Sequence, residues 1–174
     1  MFPFEINYRV SLSDFRKATY YGLVLRHRRP LLIMLVVLAG SLLYYIGAAL
    51  GLGQANYLVF FLAAAYLIWG IFLFAGAERQ IRGYLKSPDC LLSCDYTAVF
   101  EEHRLRIRIP QRKIDNSYPL NKLACAFELN DLLLLFISAQ DVYIVPKREL
   151  SSEQLSTVRE NLRSKLNTRF SSRF

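Results

Sequence analysis

From Pro30 to Ala77 the chain carries no Asp, Glu, Lys or Arg, a run of 48 residues without a charge. The 22 basic and 14 acidic side chains all lie outside it, at an ordinary density for a solvated surface. A plain soluble domain is excluded, since the remainder of a 174-residue chain is too small to enclose so long a stretch. A many-span transporter is excluded as well, because each span takes roughly 20 residues and the run allows two at most. Histidine is scarce, with only His27 and His103, and cysteine is limited to Cys90, Cys94 and Cys125. No Gly-rich phosphate loop, nucleophile elbow or kinase motif occurs. The run also lacks histidine, so it offers no ionisable group for an ion path or proton relay.

What the run does contain is two apolar stretches, Leu31 to Leu50 and Tyr57 to Ala77, separated by Gly51, Gly53 and Asn56. Each is long enough, at about 1.5 Å per residue, to cross a hydrocarbon core of about 30 Å. The pattern predicts two membrane helices joined by a tight turn. Arg26, His27, Arg28 and Arg29 precede the first, and Arg79, Arg82 and Lys86 follow the second, while the turn is uncharged. Basic flanks stay on the cytoplasmic side, which puts both termini there and the turn outside. The first span starts too late for a cleaved signal and is expected to act as an anchor. Ala39, Gly40, Gly47, Ala48, Ala63 to Ala65 and Gly70 allow close helix contact, within one copy or between two.

Outside the run the periodicities change. Phe4, Ile6, Tyr8 and Val10 alternate with polar residues as in a half-buried strand. Ser11 and Ser13 are candidate caps for a basic amphipathic helix over Asp14 to Arg29, with Pro30 near the start of the first span. Glu78 to Lys86 extends the second helix until Ser87, Pro88 and Asp89 end it. Then alternation by two takes over. Cys94, Tyr96, Ala98 and Phe100 form one inward row, Leu105, Ile107 and Ile109 a second, and Leu123, Cys125, Phe127 and Leu129 another. A short strand is expected at Ile114 to Tyr118. Asn130 and Asp131 signal a hairpin before Leu132 to Ser138, and a turn at Ala139 to Asp141 leads to Val142 to Val145. Ser151 and Gln154 have capping-box spacing. They open a helix whose apolar stripe is Leu155, Val158, Leu162 and Leu166, with Arg159, Arg163, Lys165 and Arg169 facing elsewhere.

One strand before the run, about six after it and a final amphipathic helix resemble a pleckstrin-homology-like (PH-like) fold. The expected fold class is an α+β membrane protein in which a transmembrane hairpin (residues 30–77) is inserted into a PH-like domain. Residues 1–29 and 78–174 would build that domain, an antiparallel sheet of about seven strands plus the C-terminal amphipathic helix. The chain also resembles the YcxB-like family of bacterial membrane proteins. The resemblance rests on INYRVSLSDFRKATY (Ile6 to Tyr20), on the paired spans, and on SYPLNKLACAFELNDLLLLFISAQDVYIVPKREL (Ser117 to Leu150). In it, Tyr118 leads into the polar turn Asn121-Lys122, and the strand Tyr143 to Val145 ends in Pro146-Lys147 before the final helix. The resemblance implies a location in the bacterial inner membrane and a fold, but no reaction.

The chemistry-bearing residues do not assemble into a reactive set. The C-x3-C spacing of Cys90 and Cys94 has no second zinc-ligand pair, and Cys94 and Cys125 fall in inward strand rows. His27 and His103 lie among basic residues, and Glu101 and Glu102 point apart on a strand. A non-enzyme without metal or cofactor is therefore expected. With 16 basic and 12 acidic residues in 78–174, nucleic acid is not an expected partner. The bilayer, a protein partner or a second copy is. The candidate contact is the strand face of Arg104, Arg106 and Arg108 with Arg112 and Lys113, aided by Arg26, Arg28 and Arg29, against anionic lipid or a partner. Binding or scaffolding at the membrane surface is the first function expected. The alternative is an accessory or immunity-type subunit acting through its spans, and a third is an enzyme on lipids.

Overall fold

The computed structural model of the chain describes residues 2–92, 94–138 and 141–172. Two compact units separate, one built from residues 1–18 and 89–174, the other from residues 19–88. The first is α+β and the second is helical.

In the first unit, β1 (Phe4–Tyr8), β2 (Tyr96–Phe100), β3 (Arg104–Ile109) and β4 (Ile114–Pro119) form an antiparallel sheet in chain order. Register explains its two faces. Phe4, Phe100 and Leu105 align across three strands, as do Ile6, Ala98 and Ile107. Their side chains form the inner face, with Ala98, Leu105, Ile107 and Ile109 fully enclosed. Stacked rings reinforce the first pairing, Phe4 on Phe100 at 5.3 Å and Tyr8 on Tyr96 at 5.2 Å. β1 is thus a full member of the sheet, although residues 19–88 separate it from the rest of the unit.

The second sheet runs β7 (Val142–Pro146), β6 (Leu132–Phe136), β5 (Cys125–Glu128), β8 (Phe170–Ser172). The hairpin signal at Asn130 and Asp131 is realised, with Leu129 N–H donating to the Leu132 carbonyl at 2.8 Å. The turn expected at Ala139 to Asp141 begins outside the described residues. α4 (Ser152–Leu166) carries the full capping box, Ser151 and Gln154 each bonding the other's backbone N–H. Its Val158, Leu162 and Leu166 are buried, and it meets β5 and β8.

Three expectations are corrected. The unit has two four-stranded sheets, one with a parallel pair (β5 with β8), rather than about seven antiparallel strands. β8 follows α4 because Asn167, at φ 50°, turns the chain back and Phe170 is buried beside Ala126. Three residues are too few to leave a period in the sequence. Next, β5 presents Ala126 and Glu128 inward, while Cys125 and Phe127 are only half-buried. A strand offset by one residue exchanges its faces. Finally, the basic helix does not run unbroken to Arg29.

α1 (Leu12–Arg26) stops at Arg26, and α2 (Arg28–Ala49) begins after His27. Pro30 causes this, since it has no N–H for the Arg26 carbonyl four residues back. At its other end α1 starts in the α+β unit. The Ser11 hydroxyl accepts from the Asp14 N–H, and the Asp14 carboxylate accepts from the Ser11 N–H. Asp14 is buried and also takes two bonds from Arg148, at 3.2 and 2.9 Å.

The helical unit holds the rest of α1, then α2 and α3 (Tyr57–Lys86). Both α2 and α3 are long and apolar enough to cross a membrane, and only 6% of the apolar window of each is buried. Gly70 is the point of close approach, where an added Cβ would lie 2.8 Å from the Met34 sulfur. Gly40 and Gly47 face open space instead. The turn is tied by the Tyr44 hydroxyl on the Gln54 carbonyl (2.6 Å) and the Tyr45 hydroxyl on the Asn56 carbonyl (2.8 Å), while the Asn56 side chain caps α3.

Because β1 is bonded to β2, residues 89–174 alone leave the inner edge of β2 open, an invitation to aggregation. Expressed by itself, that segment is expected to be insoluble. Joined to residues 1–18 through a flexible linker, it should give a soluble monomer with a cooperative melt. A cooperative melt from the C-terminal segment alone would show β1 to be dispensable.

Candidate functional site

The strand of alternating arginines folds as its pattern demands. Leu105, Ile107 and Ile109 go into the core, which leaves Arg104, Arg106 and Arg108 on the outer face of β3. Asn7, Thr97 and Glu5 share that face from β1 and β2, with the Thr97 hydroxyl bonded to Asn7 at 2.6 Å. At the far end a 3-10 turn over Pro110–Arg112 reverses the chain, and Lys113 takes a left-handed conformation at φ 54°. Arg112 and Lys113 are exposed there, the former within 3.3 Å of the Cys90 carbonyl.

The face is less basic than its arginine count. Asp115 on β4 sits directly opposite Arg108. Its carboxylate takes two bonds from Arg106, both at 2.6 Å, and lies 3.6 Å from Arg108 Nε. The hydrogen bonds from Arg106 hold the Asp115 carboxyl below its ordinary range, so it stays ionised at neutral pH. The β3–β4 pairing brings Arg106 and Arg108 to a common counter-ion and leaves Arg104 outside it. Arg26, Arg28 and Arg29, expected to assist, belong to the helical unit. Asp115 carries no signal in the sequence, because only the strand register sets it opposite Arg108.

A second charged centre was also hidden. Glu128 is 1% exposed at the inward end of β5. Arg159 of α4 donates to it at 2.8 and 2.6 Å, Lys147 at 2.9 Å and the Ser172 hydroxyl of β8 at 3.0 Å. The Arg159 bonds, chiefly, draw the Glu128 carboxyl down to about 2 against the opposing effect of burial. Arg159 therefore does not face away from the core as its helix position suggested. Arg169 likewise turns to the Leu123 and Asn121 carbonyls, at 2.8 and 3.0 Å. This centre clamps β5, the segment after β7, α4 and β8 together.

Near the joint between the sheets, the Tyr118 and Tyr143 hydroxyls are 3.3 Å apart, and burial first, then Tyr118, pushes Tyr143 up to about 12. The Tyr8 hydroxyl is buried with no hydrogen-bond partner among the described residues, and burial raises its pKa strongly. Cys94 is buried, as its row predicted, and Cys125 is half-buried, which it did not. All three cysteines are free thiols, and no described cluster of His, Cys, Asp and Glu has the make-up of a metal site.

Fold and site together define an α+β unit with a charged outer strand face, carried on a chain with two long apolar helices. The model of the YcxB-like protein family matches residues 100–162. The match runs from the end of β2 to the third turn of α4, which includes the Ser117 to Leu150 motif and leaves Ile6 to Tyr20 outside. No curated protein and no solved structure shows significant similarity to it.

Glu128 has a testable signature. Its folded pKa lies below its ordinary value of 4.5, so its contribution to stability is complete above about pH 4.5 and fades as pH falls toward about 2. Glu128→Gln leaves Arg159 and Lys147 without their anion and should cost about 3 kcal/mol at neutral pH, breaking a buried pair being that expensive. In detergent-solubilised protein, thermal melts should show a lower midpoint for the variant and a flatter loss below pH 4.5.

Proposed function

We propose that the protein is a multi-pass protein of the bacterial inner membrane, its hairpin of α2 and α3 spanning the bilayer with both termini cytoplasmic. In this reading the α+β unit is a PH-like platform that works by binding at the membrane surface rather than by catalysis. The observation that carries it is the exposure of the apolar helices. Val36 is 71% exposed, Leu43 68% and Phe72 68%, apolar surfaces that lipid would cover. The uncharged turn between two basic flanks supports the orientation.

The platform's ligand is the anionic leaflet beside it. Each basic side chain near such a surface contributes roughly 1 kcal/mol, an effect that fades over a Debye length of about 8 Å. Arg104, Arg106, Arg108, Arg112 and Lys113 supply the charge, and Asp115 subtracts from it.

A fusion of residues 1–18 to 89–174 should bind anionic liposomes at low salt and release as salt rises. Replacing Arg104, Arg106 and Arg108 with Gln should remove most of that binding with little change in melting temperature. Asp115→Asn should tighten it about fivefold, the factor for one charge. A fusion that ignores anionic liposomes at low salt would reject lipid as the ligand and leave a protein partner.

A further inference from the structure

Between α2 and α3 lies an open groove of about 220 Å³, lined by Pro30, Ala65, Tyr66 and Trp69. Its walls are almost entirely apolar, which suits a length of hydrocarbon. Its surroundings are basic. The His27 ring meets Trp69 edge to face, with centroids 6.5 Å apart. Pro30, three residues later, lines the groove beside the same Trp69. Arg28 and Arg29, between His27 and Pro30 in the chain, lie within one helical turn of the groove's end, and with Arg26 they form an exposed triad.

Among the described residues none of the three arginines forms an ion pair. The helical unit, residues 19–88, contains a single carboxylate, Glu78. It accepts from the Tyr20 hydroxyl at 2.6 Å and lies nine residues beyond Trp69, about 13 Å along the α3 axis. Three cations without an anion, next to an apolar slot at the level of a Trp and a Tyr, ask for an amphiphile with a negative head. Tryptophan and tyrosine mark the depth at which headgroups begin, and basic pockets between membrane helices on the cytoplasmic side take anionic lipid heads.

We propose that this groove is a binding site for an anionic phospholipid. One acyl chain lies along Ala65, Tyr66 and Trp69, and the phosphate is held by Arg28 and Arg29, with Arg26 at its rim. The site rests on the membrane placement proposed above, and it is separate from the β3 face, since all its residues belong to the helical unit.

Trp69 is the only tryptophan in the chain, so its fluorescence reports on the groove alone. The full chain would be placed in phosphatidylcholine nanodiscs doped with either phosphatidylglycerol or phosphatidylcholine carrying brominated acyl chains. Brominated phosphatidylglycerol should quench Trp69 saturably at a mole fraction about tenfold or more below that needed with brominated phosphatidylcholine, on the scale of about fivefold per arginine. The double variant R28Q/R29Q should erase the preference while keeping the same maximal quenching. A65L, which narrows the groove, should reduce maximal quenching by both lipids. Equal potency of the two lipids on the wild-type chain, or a preference that survives in R28Q/R29Q, would overturn the site. No quenching by either lipid would overturn the membrane placement itself.

Discussion

The constraint on which the rest depends is that 48 consecutive residues offer water no charge. In hydrocarbon, a backbone must satisfy its own hydrogen bonds, and for so short a run the helix is the available solution. α2 and α3 answer that demand, and the segment between them is handled locally. Tyr44 and Tyr45 donate to carbonyls of the turn, Asn56 caps α3, and Gly51 takes the left-handed conformation, φ 81°, that an L side chain resists. Gly70 lets Met34 pack against α3, which is what remains of the many small residues once the open ones are set aside. The exposed apolar faces of both helices are what the proposed membrane placement rests on.

Placing that hairpin inside the chain has a cost for the α+β unit, because β1 must find β2 across the intervening residues 19–88. Several contacts secure the N-terminal segment. Arg9 pairs with Asp95 and Lys17 with Asp131, but these are exposed pairs of little energetic weight. The heavier ties are the inner-face rings of β1 and β2 and the buried Asp14, shared between the α1 cap and Arg148. Glu128 does the equivalent service for the second sheet. A carboxylate with Arg159, Lys147 and Ser172 around it fixes where α4 and β8 must lie relative to β5. Stability and the outer face are thus divided: the inward charges hold the fold, while Arg104 and its neighbours remain at the surface.

Most of the architecture could be read from the sequence, where a strong period or a forbidden residue speaks. The uncharged run gave both long helices, alternation gave β1 to β3, and the Ser151 and Gln154 spacing gave the α4 cap. The misses have a common physical origin. β5 has apolar residues on both faces, so Cys125 and Phe127 have the spacing of inward residues when Ala126 and Glu128 are the inward pair. Helix periodicity groups Arg159 with Arg163 and Lys165, away from the apolar stripe, because it does not reveal a buried carboxylate on a neighbouring strand. β8 is too short to signal itself, and the interruption at His27 depended on seeing that Pro30 robs Arg26 of its partner. For the candidate face, the arginines were legible and their counter-ion was not. Asp115 matters only through a register that long-range pairing decides.

In the proposed placement the hairpin crosses the membrane with both of its flanks on the cytoplasmic side. The measurement that tests this most directly is cysteine accessibility in intact spheroplasts, with single cysteines introduced between Gly51 and Asn56 and the native Cys90 and Cys125 as internal reporters. A membrane-impermeant maleimide should label the turn cysteines in intact cells and reach Cys90 and Cys125 only after lysis. Labelling of the turn only after lysis, or of Cys90 in intact cells, would contradict it.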